Sequence, residues 1–443
     1  MNRVSSTPMI LAEISLLLSA GCAPIQPSPL PPAEPGAGGS NPSGSSMAVS
    51  DKPRSLTPIT SPDDLEALAE GNTAFALDLY RILSSQDGNL FFSPYSLSTA
   101  LAMTYAGAAG ETADQMAAAL HFALPQDRLH PAFNAFALDL EPRAKEPIEG
   151  TPFELSIANS LWGQQGFAFR PEFLDLLGEN YGAGMRLVDF VADAEASRLA
   201  INQWVGDETR DRIEDLIPEG AVDAMTRLVL ANAVYFKAGW LHPFDRDATV
   251  PLPFHRLDGS TEDVPMMQQS ESYGYATGEG YKALELPYVS GNVSMLILLP
   301  DEGQFESVQE GLRPGMIQEI LANLTYGPVN LALPKFTNVS AFALDDALRT
   351  LGLTDAFDQA RADFSGMDGN RDLYIGAVLH KAFVSVDEDG TEAAAATAVI
   401  MGVTSAPVGE PITFTVDRPF IYLIRDGGTG SILFLGRVLG PAG

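Results

Sequence analysis

One stretch limits the folds open to this chain more than any other. Residues 386–404 read Val-Asp-Glu-Asp-Gly-Thr-Glu-Ala-Ala-Ala-Ala-Thr-Ala-Val-Ile-Met-Gly-Val-Thr. A strand pattern over 373–386 runs into Glu388-Asp389-Gly390, then four alanines, and meets no proline before Pro407. Thr391, Ala393, Ala395, Thr397, Val399, Met401 and Val403 share one face at a period of two, and Glu392 points to the other. Small and uncharged after Glu392, the stretch is as tolerable in water as inside a sheet. A loop that carries a strand's pattern and hinges on a glycine is suited to two states.

The rest of the chain must supply a sheet for it. A hydrophobic fraction of 46% over 443 residues is ample for a large core. Residues 228–236 form a nearly continuous apolar run, as expected of a strand buried on both faces. Further strand patterns fall at 153–162, 293–299, 329–333, 373–386, 412–416, 420–425 and 431–438. Helical patterns cover 95–107, 111–121, 194–216 and 341–351, the last stopped by Gly352. Helices early and mid-chain with many strands late predict an α+β fold with large, mostly antiparallel sheets.

The N-terminus reads as a targeting segment. Arg3 precedes an apolar run over 10–20, and Ser19-Ala20-Gly21-Cys22 resembles a lipoprotein signal in which Cys22 is lipidated. Glu13 interrupts that run, so an ordinary secretory signal is the alternative. Residues 23–59 hold nine prolines with glycines and serines, the composition of a disordered tether. The folded domain is expected over 60–443, opening on Ser61 as a helix N-cap before Pro62. The expected location is extracellular or at the cell surface, with membrane contact only through the lipid anchor. As Cys22 is the only cysteine, no intrachain disulfide can form. A net charge of −31 argues against nucleic acid as a partner.

Catalytic signatures are missing. There is no Gly-x-Ser-x-Gly, no His-Glu-x-x-His and no phosphate loop. The histidines at 121, 130, 242, 255 and 380 lack metal-ligand spacing, so neither a metal nor a cofactor is expected. Asp63-Asp64 and Asp345-Asp346 sit at predicted helix starts, where the helix dipole explains them without catalysis.

Six motifs in fixed order nevertheless resemble the serpins. They are Asn89-Leu90-Phe91-Phe92-Ser93-Pro94-Tyr95-Ser96-Leu97; Leu230-Ala231-Asn232-Ala233-Val234-Tyr235-Phe236-Lys237-Ala238-Gly239-Trp240; Leu333-Pro334-Lys335-Phe336; His380-Lys381-Ala382-Phe383; Asp387-Glu388-Asp389-Gly390-Thr391-Glu392-Ala393-Ala394-Ala395-Ala396-Thr397; and Asp417-Arg418-Pro419-Phe420. The likeness runs from about Asn72 to Val438.

The resemblance implies a large central sheet, two smaller sheets, about nine helices and an exposed reactive-centre loop. It implies a metastable, monomeric inhibitor rather than an enzyme. A serine protease cleaves the loop and is trapped as an acyl-enzyme while the cut loop inserts into the central sheet; some members of the family also trap cysteine proteases. By position, the resemblance makes Glu388, Gly390, Thr391, Glu392, Ala393, Ala394, Ala395, Ala396 and Thr397 the loop hinge. It places the cleaved bond at Thr404–Ser405, with Met401, Gly402 and Val403 as neighbouring alternatives. Ser93, Ser96, Asn232 and His380 match a buried "shutter" under the central strands, although such a cluster also suits a static core. Trp240, Lys335 and Glu388 match the "breach" where insertion begins; Lys335–Glu388 read alone is an ordinary surface ion pair.

Elementary magnitudes fit this mechanism. Fourteen inserted residues (391–404) span about 46 Å at a strand's rise of ~3.3 Å per residue. A dozen new sheet hydrogen bonds at ~0.5–1.5 kcal/mol each give roughly 6–18 kcal/mol. The alanines need no large pockets, and without proline every N–H in the stretch can join a ladder. Thr, Val and Met before the bond suit elastase-like or subtilisin-like proteases. No Lys or Arg lies between Lys381 and Arg418 to face a trypsin-like pocket. Residues 111–145 hold only Arg128, Arg143 and Lys145 as Lys or Arg, so no heparin activation is expected. The competing class is a non-inhibitory serpin fold that serves as a binding or structural module.

Overall fold

The structure, a computed structural model, describes residues 44–141, 153–289, 292–391 and 410–441. In chain order the strands are β1 (Ser46–Ala48), β2 (Leu90–Phe92), β3 (Phe153–Gln164), β4 (Met185–Val188), β5 (Leu228–Gly239), β6 (Val250–His255), β7 (Thr261–Gly278) and β8 (Tyr281–Pro287). There follow β9 (Val293–Pro300), β10 (Thr325–Pro334), β11 (Phe336–Ala343), β12 (Ile375–Val386), β13 (Gly390–Thr391), β14 (Ile412–Thr415), β15 (Phe420–Asp426) and β16 (Ile432–Val438). The longer helices are α1 (Pro62–Leu83), α2 (Pro94–Tyr105), α3 (Gly110–Ala119), α4 (Gln126–Leu140), α5 (Pro171–Tyr181) and α6 (Ala194–Glu208). Four shorter ones are α7 (Phe305–Glu310), α8 (Pro314–Ala322), α9 (Asp345–Thr350) and α10 (Ser365–Asp368), and two single 3-10 turns lie at Arg246–Ala248 and Asp355–Phe357.

Two sheets organise these elements. The first has seven strands in the order β1-β4-β3-β5-β13-β12-β11; the second has nine and runs β14-β10-β7-β8-β9-β15-β16-β2, with β6 on β7. The two smaller sheets implied by the resemblance are thus continuous, because the 18-residue β7 serves both. Met266 to Tyr275 pair with β10, and Gly274 to Gly278 pair with β8. α2 lies between the sheets and touches β3, β5 and β16, which is why almost every one of its side chains is buried. α6 covers the opposite face of the seven-stranded sheet. There the Arg186 guanidinium of β4 stands 4.7 Å from the Trp204 ring and 5.5 Å from the Trp162 ring.

Burial follows the strand patterns. β9 is buried along its whole length and β5 at all but one position, whereas the edge strand β11 alternates buried and exposed residues over most of its run.

Two strands run longer than expected, β5 to Gly239 and β10 over Thr325–Pro334, and three further boundaries differ for identifiable reasons. The helix expected over 194–216 stops at Glu208, where Thr209 folds the chain back: its Oγ1 donates to the Val205 carbonyl at 2.7 Å and accepts from the Ile213 amide at 3.1 Å. Arg210 and Asp211 then take positive φ. The helix expected over 341–351 is confined to Asp345–Thr350, because Ala341 to Ala343 continue the β11 ladder against Lys381 to Leu379. The end of the expected tether, 44–59, is seated on the fold: β1 pairs antiparallel with β4, and the Ser55 amide donates to the Glu179 carbonyl at 2.8 Å. Cys22 and the rest of 1–43 lie outside the described residues.

Ser61 caps α1 as the sequence suggests. Its hydroxyl accepts from the Asp64 amide at 3.2 Å, and its own amide donates to Asp64 Oδ2 at 3.0 Å. Ser61→Ala is expected to lower stability by about 1 kcal/mol in urea unfolding.

Candidate functional site

The centre of the seven-stranded sheet is a seam between two parallel strands. β5 and β12 pair from Leu228/Ile375 to Tyr235/Phe383, and the chain between them in sequence supplies β6 to β10 of the second sheet and the edge strand β11 of the first. Above that pairing the strands part, and Gly390–Thr391 enters between them. Thr391 pairs antiparallel with Val386 on one side and Ala238 on the other.

The expected breach residues converge on this opening. Glu388 is buried, and its carboxylate accepts from Lys335 Nζ at 2.7 Å and from the Thr249 hydroxyl at 2.8 Å. Burial pushes its carboxyl up, but the hydrogen bonds from Lys335, its own backbone and Thr249 outweigh this and hold it below the ordinary range. The pair is therefore half-buried rather than a surface ion pair. Trp240 stacks on Tyr288 at 4.6 Å between ring centroids, and its Nε1–H donates to the Asp387 carbonyl at 3.0 Å. The Trp240 amide donates to the Asp389 carbonyl and the Phe244 amide to that of Glu388, so backbone as well as side chains anchors the turn.

Gly390 has a closer constraint than conformational freedom. A Cβ there would stand 2.1 Å from the Ala238 carbonyl oxygen. Thr391 is fully buried, with its hydroxyl 2.8 Å from that of Tyr288. Glu392, Ala393, Ala394, Ala395, Ala396, Thr397, Met401, Gly402, Val403, Thr404 and Ser405 lie outside the described residues.

Ser93, Ser96, Asn232 and His380 also come together, directly across the seam. His380 Nε2 accepts from the Ser93 amide at 3.2 Å, which leaves Nδ1–H to donate to Asn232 Oδ1. Asn232 Nδ2 donates to the Ser96 hydroxyl at 2.7 Å, and Ser93 Oγ donates to the Leu433 carbonyl at 2.7 Å. The network thus ties both strands of the seam to the N-terminus of α2 and to the second sheet.

Sequence reasoning missed Asn159, which sits beside Asn232 in the β3–β5 register and bonds to it and to Ser96. Its signal was a polar side chain on the face that Leu155, Ile157 and Leu161 otherwise make apolar. Tyr288, Thr249 and Arg246, whose guanidinium pairs with Asp389, were missed for want of any local pattern.

Residues 70–441 match the family Serpin (serine protease inhibitor). An uncharacterized serpin-like protein of Thermococcus kodakarensis is 40% identical over 436 residues, 98% of each chain. The human leukocyte elastase inhibitor is 40% identical over 388 residues, covering 85% of this chain and all of its own. Among solved structures, the thermophilic serpin tengpin in its native state aligns with a TM-score of 0.78 at 29% identity, over 89% of this chain and 99% of its own. Uncleaved ovalbumin aligns at 0.75 and 27% identity, over 85% and 100%. The chain belongs to the serpin family, described as serine protease inhibitors.

Two outcomes follow from this geometry. Gly390→Ala forces its methyl into the Ala238 carbonyl and is expected to cost about 1–3 kcal/mol in denaturant unfolding. Burial lowers His380 and His130 to about 3, so both are neutral in the folded chain. Unfolded histidines titrate near ~6.5, so this contribution to stability is complete above that pH and is lost as pH falls from there toward 3. Unfolding free energies at pH 7, 5 and 4 are expected to show a decline, and His130→Gln to remove about one proton from its slope.

Proposed function

We propose that the chain is a serine-protease inhibitor that traps its target by loop insertion. The reactive-centre loop is cleaved near Thr404–Ser405 and enters the seam between β5 and β12, while the protease remains attached as an acyl-enzyme. The register at Thr391 carries this reading. Each step forward along the loop is one step back along both strands, starting from Val386 and Ala238. Ala393 then falls between Val384 and Phe236, Ala395 between Ala382 and Val234, and Thr397 between His380 and Asn232.

These flanking positions agree with the present pairing of the seam, in which His380 faces Asn232 and Ala382 faces Val234. The inserting strand therefore needs no slip of either neighbour. It replaces one parallel ladder, the weaker kind per residue, with two antiparallel ones. It also replaces the His380–Asn232 bond with a threonine that can donate and accept at the same place. The first part of the insert needs no large pockets, since Ala393 to Ala396 carry only methyl groups.

The elastase inhibition in the name of the human relative, together with Thr, Val and Met ahead of the bond, favours elastase-like or subtilisin-like targets. Export, with attachment through Cys22, would place the inhibitor at the cell surface.

Incubation with pancreatic elastase or subtilisin, read by denaturing gel and intact mass, tests the mechanism. The expected result is a complex stable to denaturant and a released C-terminal peptide beginning at Ser405. Clean cleavage with the protease fully active would overturn it in favour of a non-inhibitory module. Thr391→Arg, which places an unpaired charge at a fully buried position, is expected to cut complex formation about tenfold or more while cleavage continues.

A further inference from the structure

The segment joining β1 to α1 is built as a fastening. Beyond β1, Ser50 and Lys52 engage Asp175 of α5, and Lys52 also reaches Glu179. Arg54 Nε donates to Asn134 Oδ1 of α4 at 2.8 Å, and its guanidinium pairs with Glu141. Asn134 in turn donates to the Ser55 carbonyl at 2.8 Å. The chain then enters α1 at the Ser61 cap. One continuous strap thus runs from the outer edge of the seven-stranded sheet, across α5 and α4, to a helix that packs on β16 of the other sheet.

The groove beneath it is shaped to take a backbone. A Cβ at Gly184 would lie 2.6 Å from the Ala48 carbonyl oxygen and 2.8 Å from Val49 Cγ1. At Gly178 it would meet the Lys52 carbonyl at 3.2 Å, and at Gly182 the Arg54 Cδ at 3.2 Å. Three glycines within seven residues leave room for the strap.

We propose that this strap restrains the opening of the β5–β12 seam, by holding the β4–β3–β5 half of the sheet to α4, α5 and α1. The mechanics follow from the ladders. β3 pairs with β5 from Phe153/Ala238 to Gly163/Leu228, so the two move together, and β4 follows β3. To admit a strand, this half must shift by about 4.8 Å relative to β12. α1 stays with the second sheet, so the strap must stretch or release its bonds at Arg54 and Ser55. Beneath the moving half lies a cavity of about 380 Å³, lined by Met103, Leu140, Ile157 and Asn159, with Arg54 at its wall. Packing is incomplete there, so the strap supplies restraint where side chains do not. The inference takes its biological meaning from the proposed insertion mechanism, but seam opening is measurable with no protease present.

Two variants of the full chain test it by hydrogen exchange. Gly184→Ala pushes β1 off β4 through the groove, and Arg54→Ala removes the bonds from Arg54 to Asn134 and Glu141 while the Asn134–Ser55 bond remains. In both, seam amides over 229–235 and 378–383 are expected to exchange about tenfold faster, the equivalent of roughly one net hydrogen bond. Amides of the β15–β16 ladder serve as the reference and are expected not to change. Unchanged seam exchange with rapid exchange in the strap would overturn the proposal, leaving the strap a mere edge cover. Equal acceleration everywhere would also overturn it, as general destabilisation. Because no protease enters the measurement, failure to trap elastase would leave this result standing.

Discussion

The rest of the structure depends on a parallel ladder that is open at one end. β5 and β12 come from distant parts of the sequence and run the same way, so their pairing holds the two halves of the first sheet together. At their upper ends they part around Thr391, which pairs with both. The breach turn, the shutter network, the covering helix α6 and the strap each act on this seam from a different side. For the insertion proposed above, a wedge already seated in register would make each further step propagation rather than nucleation, in the way that adding residues to an existing helix is easier than starting one.

Much of this was legible in the chain because it rests on side-chain identity. The apolar run at 228–236 became β5, and the motif around Ser93 became the capped start of α2. What stayed hidden rests on backbone geometry and register. Nothing in residues 44–59 marks them as seated, since their partners are the backbone of β4, side chains of α4 and α5 far away in sequence, and small gaps left by glycines. Asn159 was invisible as a partner of Asn232 until the β3–β5 pairing set them side by side. The early end of α6 depended on a threonine hydroxyl that serves two turns at once, a contact no periodicity reports.

The breach and the shutter divide their chemistry sharply. At the breach, charges meet in pairs: Lys335 with Glu388, and Arg246 with Asp389. At the shutter, every group is neutral: two serines, two asparagines and a histidine kept uncharged by burial. A neutral donor–acceptor network can exchange partners one bond at a time, with no bare charge carried through a low-dielectric interior.

That division gives the molecule two kinds of response to its surroundings. Dissolved ions reach the half-exposed guanidinium and ammonium groups at the rim and weaken them over distances of about 10 Å at moderate salt. They cannot reach the uncharged bonds under the seam. A strongly acidic protein built this way can meet brine or fresh water with its outer latches tightened or loosened, while the sheet's own point of parting keeps one fixed strength.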